Sequence, residues 1–468
     1  MNRGKRFAKK TLIYTIGSFG SKFLTFILLP LYTYLIPTTE YGQYDLIVTT
    51  ISLIMPLVTL QTQEAIITGM ISEEIDNSQI IRSTSLILAV NSFITLIVVL
   101  GINQIYSIEY IWYILGLIIT KGIFTIIQQY ARGFKNSSLY AVSGIIYTLV
   151  FLSLNIYQLV ILKAGISGLF LSEIFAAIFS TIIILLVEKR ILKAICFKVD
   201  KKILKWIIIY SLPLVPNAIS WWFINASDRY VINFFIGSSA NGIYAISYKF
   251  ANVLQTVTGL VYLAWQEFSL EEYKSKDKDS LLSKSFDIYA KFLLSLSIIG
   301  FCLSKYVIEF LLASEYKDAW KYTGWLFLGT VYIALASQLN TCYLANNKTI
   351  SILKGTLISG LINIVVDVLL INEIGIFAAS FSTAFSAFIL VLLRIRDNKK
   401  FYDFKIDTKS FYILSGLASG IFVVTTVVNS DKLLLACLGI GIAVFVYFNR
   451  EIINIGTTFF KLKIERNK

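Results

Sequence analysis

The sequence predicts an all-α integral membrane protein of fourteen transmembrane helices, arranged as two pseudo-symmetric six-helix lobes plus two C-terminal helices. Three observations support this fold class. The 468 residues are 56% hydrophobic and 15% charged, with a mean hydropathy of +0.73, which is more apolar side chain than a soluble domain can bury. Apolar runs long enough to cross a bilayer recur along the whole chain. The basic residues are concentrated in every second connecting segment.

Each predicted span is an apolar run of 18 to 32 residues, and about 20 residues of helix cross a hydrocarbon core of about 30 Å. Turn residues and charges mark the ends of the runs. The runs cover residues 12–36, 43–71, 80–103, 109–131, 138–162, 165–187, 205–236, 241–267, 286–304, 320–344, 352–372, 375–395, 410–428 and 432–449. Pro213 and Pro216 interrupt the seventh run. We expect a hinge there, because proline removes a helical donor and frees backbone carbonyls.

The distribution of Lys and Arg sets the predicted orientation. With the N-terminus in the cytoplasm, 32 of the 42 basic residues fall in cytoplasmic segments and five fall in outer loops. This asymmetry follows the positive-inside rule. The net charge of +14 therefore reports membrane topology and not binding to nucleic acid. We expect a multi-pass protein with both termini in the cytoplasm.

Composition also excludes several kinds of site. The chain contains no histidine, which removes imidazole metal ligands, His general bases and His proton relays. Its four cysteines lie far apart with no CxxC spacing, so no zinc, redox or disulfide motif is predicted. A DxD-like segment at residues 277–279 lies in a charged loop with no nucleotide-binding domain beside it. We predict no metal site, no catalytic residues and no enzyme activity.

Two short segments recur along the chain. "PTTEYGQY" at residues 37–44 returns as "GSSANGIY" at 237–244, and "GISGLFLS" at 165–172 returns as "GIFAASFS" at 375–382. Spans 1 to 6 therefore resemble spans 7 to 12. Because six is even, both halves insert in the same orientation, as in transporters built from parallel repeats. The predicted domains are an N-terminal lobe at 1–200, a second lobe at 201–400, and two additional helices with a cytoplasmic tail at 401–468.

Cations occur within several predicted spans. An ionised side chain at bilayer depth costs about 2.5 to 3.5 kcal/mol and usually faces a bundle interior or a water-filled pathway. Lys22 and Lys121 lie about 15 Å from the nearer ends of their spans, too deep to reach an interface comfortably. Arg229 and Lys249 lie about 10 and 12 Å from the outer boundary, where long side chains can snorkel. We predict that these four cations line a cavity, and that Lys291 is an interfacial anchor.

Carboxylates at membrane depth form a second group: Glu64, Glu173, Asp228 and Asp367. A buried carboxylate can bind a proton or coordinate Na⁺. These four are candidate coupling or gating residues, with H⁺ or Na⁺ as the candidate ion and no other cofactor. Asp228 and Arg229 are adjacent and project about 100° apart on a helix, so each needs a partner on another helix or a ligand.

Two sequence segments and the pattern of spans resemble a known family. The opening "KKTLIYTIGSFGSKFLTFILLPLYTYLIPTTEYGQYDL", the later "NASDRYVINFFIGSSANGIYAISYKFANVLQ" and the pattern of six, six and two spans are similar to the polysaccharide biosynthesis proteins. These are the Wzx-type flippases of O-antigen and capsule repeat units, in the superfamily (MOP) that also holds lipid II flippases and MATE multidrug exporters. The resemblance covers essentially the whole chain.

The resemblance implies two six-helix lobes around a cation-lined cavity and transport by alternating access. The implied cargo is an undecaprenyl-diphosphate-linked oligosaccharide, moved from the inner to the outer leaflet of a bacterial cytoplasmic membrane for capsule, O-antigen or exopolysaccharide assembly. The implied partners, besides the lipid bilayer, are a polysaccharide polymerase and chain-length machinery. A lipid II flippase and a MATE-like cation-coupled multidrug antiporter are the alternatives.

The cations carry the sharpest expectation from this resemblance. Lys22 falls in the first-helix region where related flippases carry cationic cavity residues, and the matched later segment contains Arg229 and Lys249. Lipid tails do not solvate a diphosphate or its glycan, so we expect Lys22 and Lys121 to meet the diphosphate. The alternative is that each lysine neutralises a carboxylate such as Glu64 or Glu173.

Overall fold

A computed structural model describes residues 26–72, 75–195, 198–271, 275–346, 348–450 and 453. Within these ranges the regular secondary structure is helical, without strands. Eleven helices of the described chain are long and apolar enough to cross a membrane, which confirms the all-helical membrane class. Of the other three predicted spans, the first lies mostly outside the described residues, and the eighth and tenth correspond to helices that are not among the eleven. The total of fourteen therefore stays a prediction.

The chain divides into two compact units, Met1–Trp222 and Phe223–Lys468. The helices that begin in the first unit are α1 (Leu29–Leu35), α2 (Thr38–Thr59), α3 (Thr62–Ser72), α4 (Asn77–Ile105), α5 (Ile111–Gly133), α6 (Ser137–Ile156), α7 (Gly165–Val187), α8 (Arg190–Ala194), α9 (Lys201–Ser211) and α10 (Leu214–Ala226). The second unit contains α11 (Asp228–Phe235), α12 (Ser238–Glu271), α13 (Lys278–Leu311), α14 (Trp320–Ala345), α15 (Thr349–Ile374), α16 (Ile376–Asn398), α17 (Thr408–Val428) and α18 (Asp431–Phe448). The three-part division at 200 and 400 stays a prediction.

The second predicted run is two helices and not one. Leu60 and Gln61, between α2 and α3, have φ angles of 49° and 53°, in the left-handed region that ordinary L-residues rarely adopt. No glycine or proline stands at this break, so the sequence carries no local signal for it. Apolarity alone predicts the length of the run and not its continuity.

The seventh predicted run is broken twice. α9 ends at Ser211 and α10 begins at Leu214, which confirms the interruption at Pro213. Pro216 is tolerated inside the first turn of α10, because the first N–H groups of a helix have no intrahelical acceptor. A second break at Ser227 separates α10 from α11, and here the Ser227 hydroxyl donates to the Phe223 carbonyl at 2.5 Å.

The recurring segments take equivalent local structures in the two units. α2 begins at Thr38 and α12 begins at Ser238, the same offset as the sequence repeat. Gly165 and Gly375, at the starts of α7 and α16, have φ angles of 56° and 59°. Glycine adopts this conformation without a Cβ clash, which explains why both copies of the second segment begin with it.

Ion pairs at both ends connect the last two helices to α13. Lys291 Nζ lies 2.8 Å from Asp407 Oδ2, just before α17, and this hydrogen bond lowers the pKa of Asp407 to about 2. Lys305 Nζ lies 2.6 Å from Asp431 Oδ1 at the start of α18. Lys305, which the predicted spans place in an outer loop, is buried because α13 continues to Leu311. Lys291 makes a specific ion pair in addition to its predicted anchoring role.

Candidate functional site

A buried carboxylate follows the second break of the seventh run. Asp228 is the first residue of α11 and is fully buried. Its Oδ2 accepts a hydrogen bond from the Tyr244 hydroxyl of α12 and another from the Thr383 hydroxyl of α16, the latter at 2.8 Å. As predicted, Asp228 finds its partners on other helices. Helix breaks within membrane proteins commonly place ion-binding groups, and here a fully buried carboxylate directly follows the break.

A second carboxylate lies close to the first. Asp367 of α15 is buried, and its charge and that of Asp228 repel each other. Asn363, one turn earlier on α15, is also buried; its amide nitrogen lies 3.4 Å from the Thr383 hydroxyl. The amide oxygen of Asn363 accepts from Ser227 at 3.4 Å. We refer to Asp228, Asn363, Asp367 and Thr383 as the acidic cluster.

Most carboxylate oxygens of the acidic cluster make no hydrogen bond. Asp228 Oδ1 and both oxygens of Asp367 are buried without a hydrogen-bonding partner. Two adjacent negative charges in a low-dielectric interior are strongly unfavourable unless a cation offsets them. The oxygen-rich set suits a small hard cation or a proton. Soft or transition metals are a poor match, since the acidic cluster contains no His or Cys ligand.

Arg229 is buried against aromatic rings beside this cluster. Its Nη1 donates to the Asn225 carbonyl at 2.9 Å, one turn earlier in the chain. Its guanidinium carbon lies 4.5 Å from the ring centroid of Tyr248 and 5.7 Å from that of Tyr244, which are cation–π distances. The tyrosine faces of α12 thus stabilise the Arg229 charge, and its guanidinium lowers the electrostatic cost of the neighbouring Asp228.

The first unit contains a half-buried ion pair. Lys121 Nζ of α5 lies 2.5 Å from Glu173 Oε1 of α7, and their side chains are 22% and 12% exposed. The Tyr147 hydroxyl of α6 donates to the same oxygen at 3.3 Å. Glu173 Oε2 is buried without a hydrogen-bonding partner. The geometry matches the alternative in which a carboxylate neutralises Lys121.

The repeat places polar groups at equivalent positions in the two units. Tyr44 and Tyr244 are the aligned tyrosines of the first segment, and an offset of 210 residues relates Glu173 to Thr383. Tyr44 lies within electrostatic range of Glu173. The Tyr244 and Thr383 hydroxyls both donate to Asp228 Oδ2. Each unit therefore has a tyrosine at the first repeat position. At the second position the first unit has Glu173, which pairs with Lys121, and the second unit has Thr383 of the acidic cluster.

Three predicted site residues remain, namely Glu64, Lys249 and Lys22. Glu64 on α3 is exposed, and within the described part of the chain its carboxylate makes no hydrogen bond or ion pair. Lys249 on α12 is half-buried. Lys22 lies outside the described residues.

Arg394 is a buried cation that sequence reasoning missed. Its position at the end of the twelfth predicted span places it with the flanking basic residues, yet it is 2% exposed. Tyr244 and Thr383 were also missed, although one is the aligned tyrosine of the first repeat and the other directly follows the second. Positions aligned by an internal repeat were the available signal for those two; nothing local marks Arg394.

Solved transporters share this fold. The structure titled "Lipid II flippase MurJ, inward closed conformation" matches with a TM-score of 0.67 at 16% identity, covering 94% of this chain and 100% of that one. An inward-facing multidrug resistance MATE transporter of the MOP superfamily matches with a TM-score of 0.62 at 12% identity, covering 80% and 97%. The Vibrio cholerae MATE transporter VcmN matches with a TM-score of 0.59 at 12% identity, covering 85% and 96%. At these identities the likeness shows the fold alone.

Sequence comparison supplies the family. No curated protein matches the chain. The profile of the family described as polysaccharide biosynthesis protein matches residues 7–265, more than half of the chain. This span includes the Lys121–Glu173 pair and the Asp228–Arg229 segment. By this match, the chain belongs to the polysaccharide biosynthesis protein family.

Proposed function

We propose that this protein is a flippase for undecaprenyl-diphosphate-linked oligosaccharide repeat units. It moves them from the inner to the outer leaflet of the bacterial cytoplasmic membrane by alternating access, for capsule, O-antigen or exopolysaccharide assembly. The observation that carries the proposal is membership of the polysaccharide biosynthesis protein family in a chain built from membrane helices. A polysaccharide polymerase and chain-length machinery would act on the delivered units.

Charge inside the helical units supports this cargo. A diphosphate carries about two negative charges that hydrocarbon does not solvate, so its path needs cations held at membrane depth. Arg229 is held on tyrosine rings and Lys121 by a carboxylate. We propose Lys22, Lys121, Arg229 and Lys249 as the cations that contact the headgroup, with Lys121 released from Glu173 when the diphosphate is present.

We propose the acidic cluster as the coupling site. Uptake of H⁺ or Na⁺ would offset the repulsion between Asp228 and Asp367, whose unpartnered oxygens are the available ligands. The repulsion is offset in a conformation that binds the cation and remains in a conformation that has released it. An ion gradient can therefore shift the equilibrium between the two conformations. Glu64 and Glu173 are proposed as gating groups, Glu173 through its pair with Lys121.

A lipid II flippase is the second candidate function. The fold of the lipid II flippase MurJ covers 94% of this chain, and the two cargoes share the diphosphate lipid, so the same cations would serve. A MATE-like drug antiporter is the third candidate, and it would need a path suited to organic cations.

Deletion of the gene is expected to stop surface polysaccharide while lipid-linked repeat units accumulate on the inner leaflet, because synthesis of the unit precedes its transfer. The measurement compares extracted lipid-linked oligosaccharide and surface glycan in deletion and complemented cells. Normal surface polysaccharide in the deletion strain, with no second flippase present, contradicts the assignment. Accumulation of lipid II supports the second candidate instead, and a change in drug tolerance alone supports the third.

We propose that both termini are cytoplasmic, and cysteine labelling tests this orientation. Thr39 and Ser280 are both exposed and lie at the starts of α2 and α13. In a cysteine-free background, Thr39→Cys is expected to react with a membrane-impermeant reagent on whole cells, whereas Ser280→Cys should react only after the cells are opened. The reverse pattern rejects the orientation, and equal labelling of both in opened cells controls for access.

A further inference from the structure

Arg394 holds its charge in the interior of the second unit with few partners. Its side chain is 2% exposed. One nitrogen, Nη2, donates to the Thr356 hydroxyl of α15 at 3.2 Å. Nε and Nη1 are buried without a hydrogen-bonding partner. A guanidinium has five N–H donors, so most of its donor capacity is unused.

Carboxylates of the described chain do not neutralise Arg394. No ion pair within the described residues involves it, and the groups that act on its charge are the hydroxyls of Tyr343 on α14 and Tyr262 on α12. Asp397, the next carboxylate along α16, pairs with Lys400 at 2.8 Å. A buried charge without a counter-ion is unfavourable unless another anion compensates it. Within the described part of the chain no carboxylate offsets this charge, so a bound anion would stabilise it.

The position of Arg394 indicates what that anion is. It lies four residues before the end of α16, about 6 Å of helix rise, which is within reach of the headgroup layer. Exposed cations on the same helix ends, Lys354 near the start of α15 and Arg396 and Lys399 at the end of α16, raise the local concentration of anions. In a membrane the abundant anions at this level are lipid phosphates.

Guanidinium chemistry matches phosphate. Thr356 occupies a single donor of Nη2, so one edge of the guanidinium still presents two parallel N–H groups. Such an edge binds two oxygens of one phosphate, an arrangement that lysine does not reproduce. Of the two tyrosines that act on its charge, Tyr343 is fully buried and Tyr262 is half-buried, so the Tyr262 side is the less enclosed of the two.

We propose that Arg394 is a binding site for a lipid phosphate, supplied either by an anionic phospholipid headgroup or by the diphosphate of a lipid-linked cargo. The first source makes the site a lipid-sensing position separate from transport. Only the second source, the diphosphate of a lipid-linked cargo, rests on the proposed function. In both cases the guanidinium, oriented by its hydrogen bond to Thr356, holds the phosphate oxygens between α15 and α16.

Lipid binding to the purified full-length protein tests the site. Native mass spectrometry measures binding from detergent micelles that contain phosphatidylglycerol, undecaprenyl diphosphate or, as the zwitterionic comparison, phosphatidylcholine. Arg394→Gln is expected to weaken binding of an anionic probe by about tenfold or more, since hydrogen bonds to charged groups are worth at least that factor. Arg396→Gln, at an exposed cation two residues away, is the matched control. It removes the same charge without removing the buried guanidinium, so it should weaken binding far less than Arg394→Gln does.

Arg394→Lys keeps the protein measurable if the glutamine variant does not fold. It retains the charge without the two-pronged edge, so it should also bind less tightly than wild type. Loss of phosphatidylglycerol binding in these variants identifies the headgroup as the source, and loss confined to undecaprenyl diphosphate identifies the cargo. Wild-type affinity of Arg394→Lys for every probe, or an equal loss in Arg396→Gln, overturns the proposal. None of these binding results bears on whether deletion of the gene stops surface polysaccharide, so the site and the proposed function are tested separately.

Discussion

Asp367→Asn is expected to abolish the dependence of transport on the coupling ion while leaving the protein folded. Asp367 is buried beside Asp228, and neither of its oxygens has a hydrogen-bonding partner. The substitution removes one of two repelling charges and breaks no hydrogen bond, so the cation-free state gains stability. A bound cation then no longer discriminates between conformations and cannot shift them. The variant should export polysaccharide at about the same rate with and without the ion gradient.

Two measurements check this expectation. Surface polysaccharide in complemented deletion cells reports transport at matched protein level. Thermal unfolding of the purified protein reports cation binding, because a ligand at 100 times its dissociation constant stabilises the folded state by about 2.7 kcal/mol. Wild type should be stabilised by Na⁺ over K⁺ if Na⁺ is the ion, and by lower pH if it is H⁺. The variant should show neither effect.

Glu373→Gln supplies the matched control for the acidic cluster. Glu373 lies on the same helix, α15, but is exposed, so its neutralisation should leave ion dependence and transport unchanged. An Asp367→Asn protein that keeps wild-type ion dependence removes the acidic cluster from coupling. An equal loss in Glu373→Gln attributes the effect to net charge and not to the buried site.

Lys121→Gln is expected to lower the amount of folded protein several-fold, and Glu173→Gln in the same chain should restore it. Without its ammonium partner at 2.5 Å, the Glu173 carboxylate is a half-buried charge with no counter-ion. The loss of stability should be smaller than the roughly 3 to 5 kcal/mol that breaking a fully buried pair from one side typically costs. The double variant replaces both charges with neutral amides that can bond to each other. Protein level in membranes and thermal unfolding are the measurements.

Transport by the double variant then separates structure from cargo binding. If Lys121 also meets the diphosphate, the well-folded double variant should still fail to restore polysaccharide, because charge-assisted contacts to phosphate are roughly twice as strong as neutral ones. Full complementation by the double variant assigns Lys121 to structure alone. Lys189→Gln, at an exposed cation of the same unit, should match wild type in both measurements. A Lys121→Gln protein that is already expressed normally contradicts the structural role of the pair.

Repeat alignment was more informative about the candidate sites than the depth of single residues. Depth along a span correctly marks Asp228 and Asp367 as buried, but it also selects Glu64, which is exposed. It places Arg394 among the surface cations, although Arg394 is buried. The repeat instead aligns Tyr44 with Tyr244 and Glu173 with Thr383. Tyr44 and Glu173 interact within the first unit, and Tyr244 and Thr383 both contact Asp228 within the second.

The sequence by itself determined the membrane class, the position of most helices and the family. Hydropathy, helical period and the glycines at Gly165 and Gly375 are local properties, read within a window of a turn or a span. Only the tertiary structure decided which charges meet. Asp228 and Thr383 are 155 residues apart in the chain. Lys121 and Glu173 lie on different helices, and Arg394 is buried by helices that pack around it. These contacts depend on which helices are neighbours, a long-range outcome of packing that no local pattern of apolar and charged residues specifies.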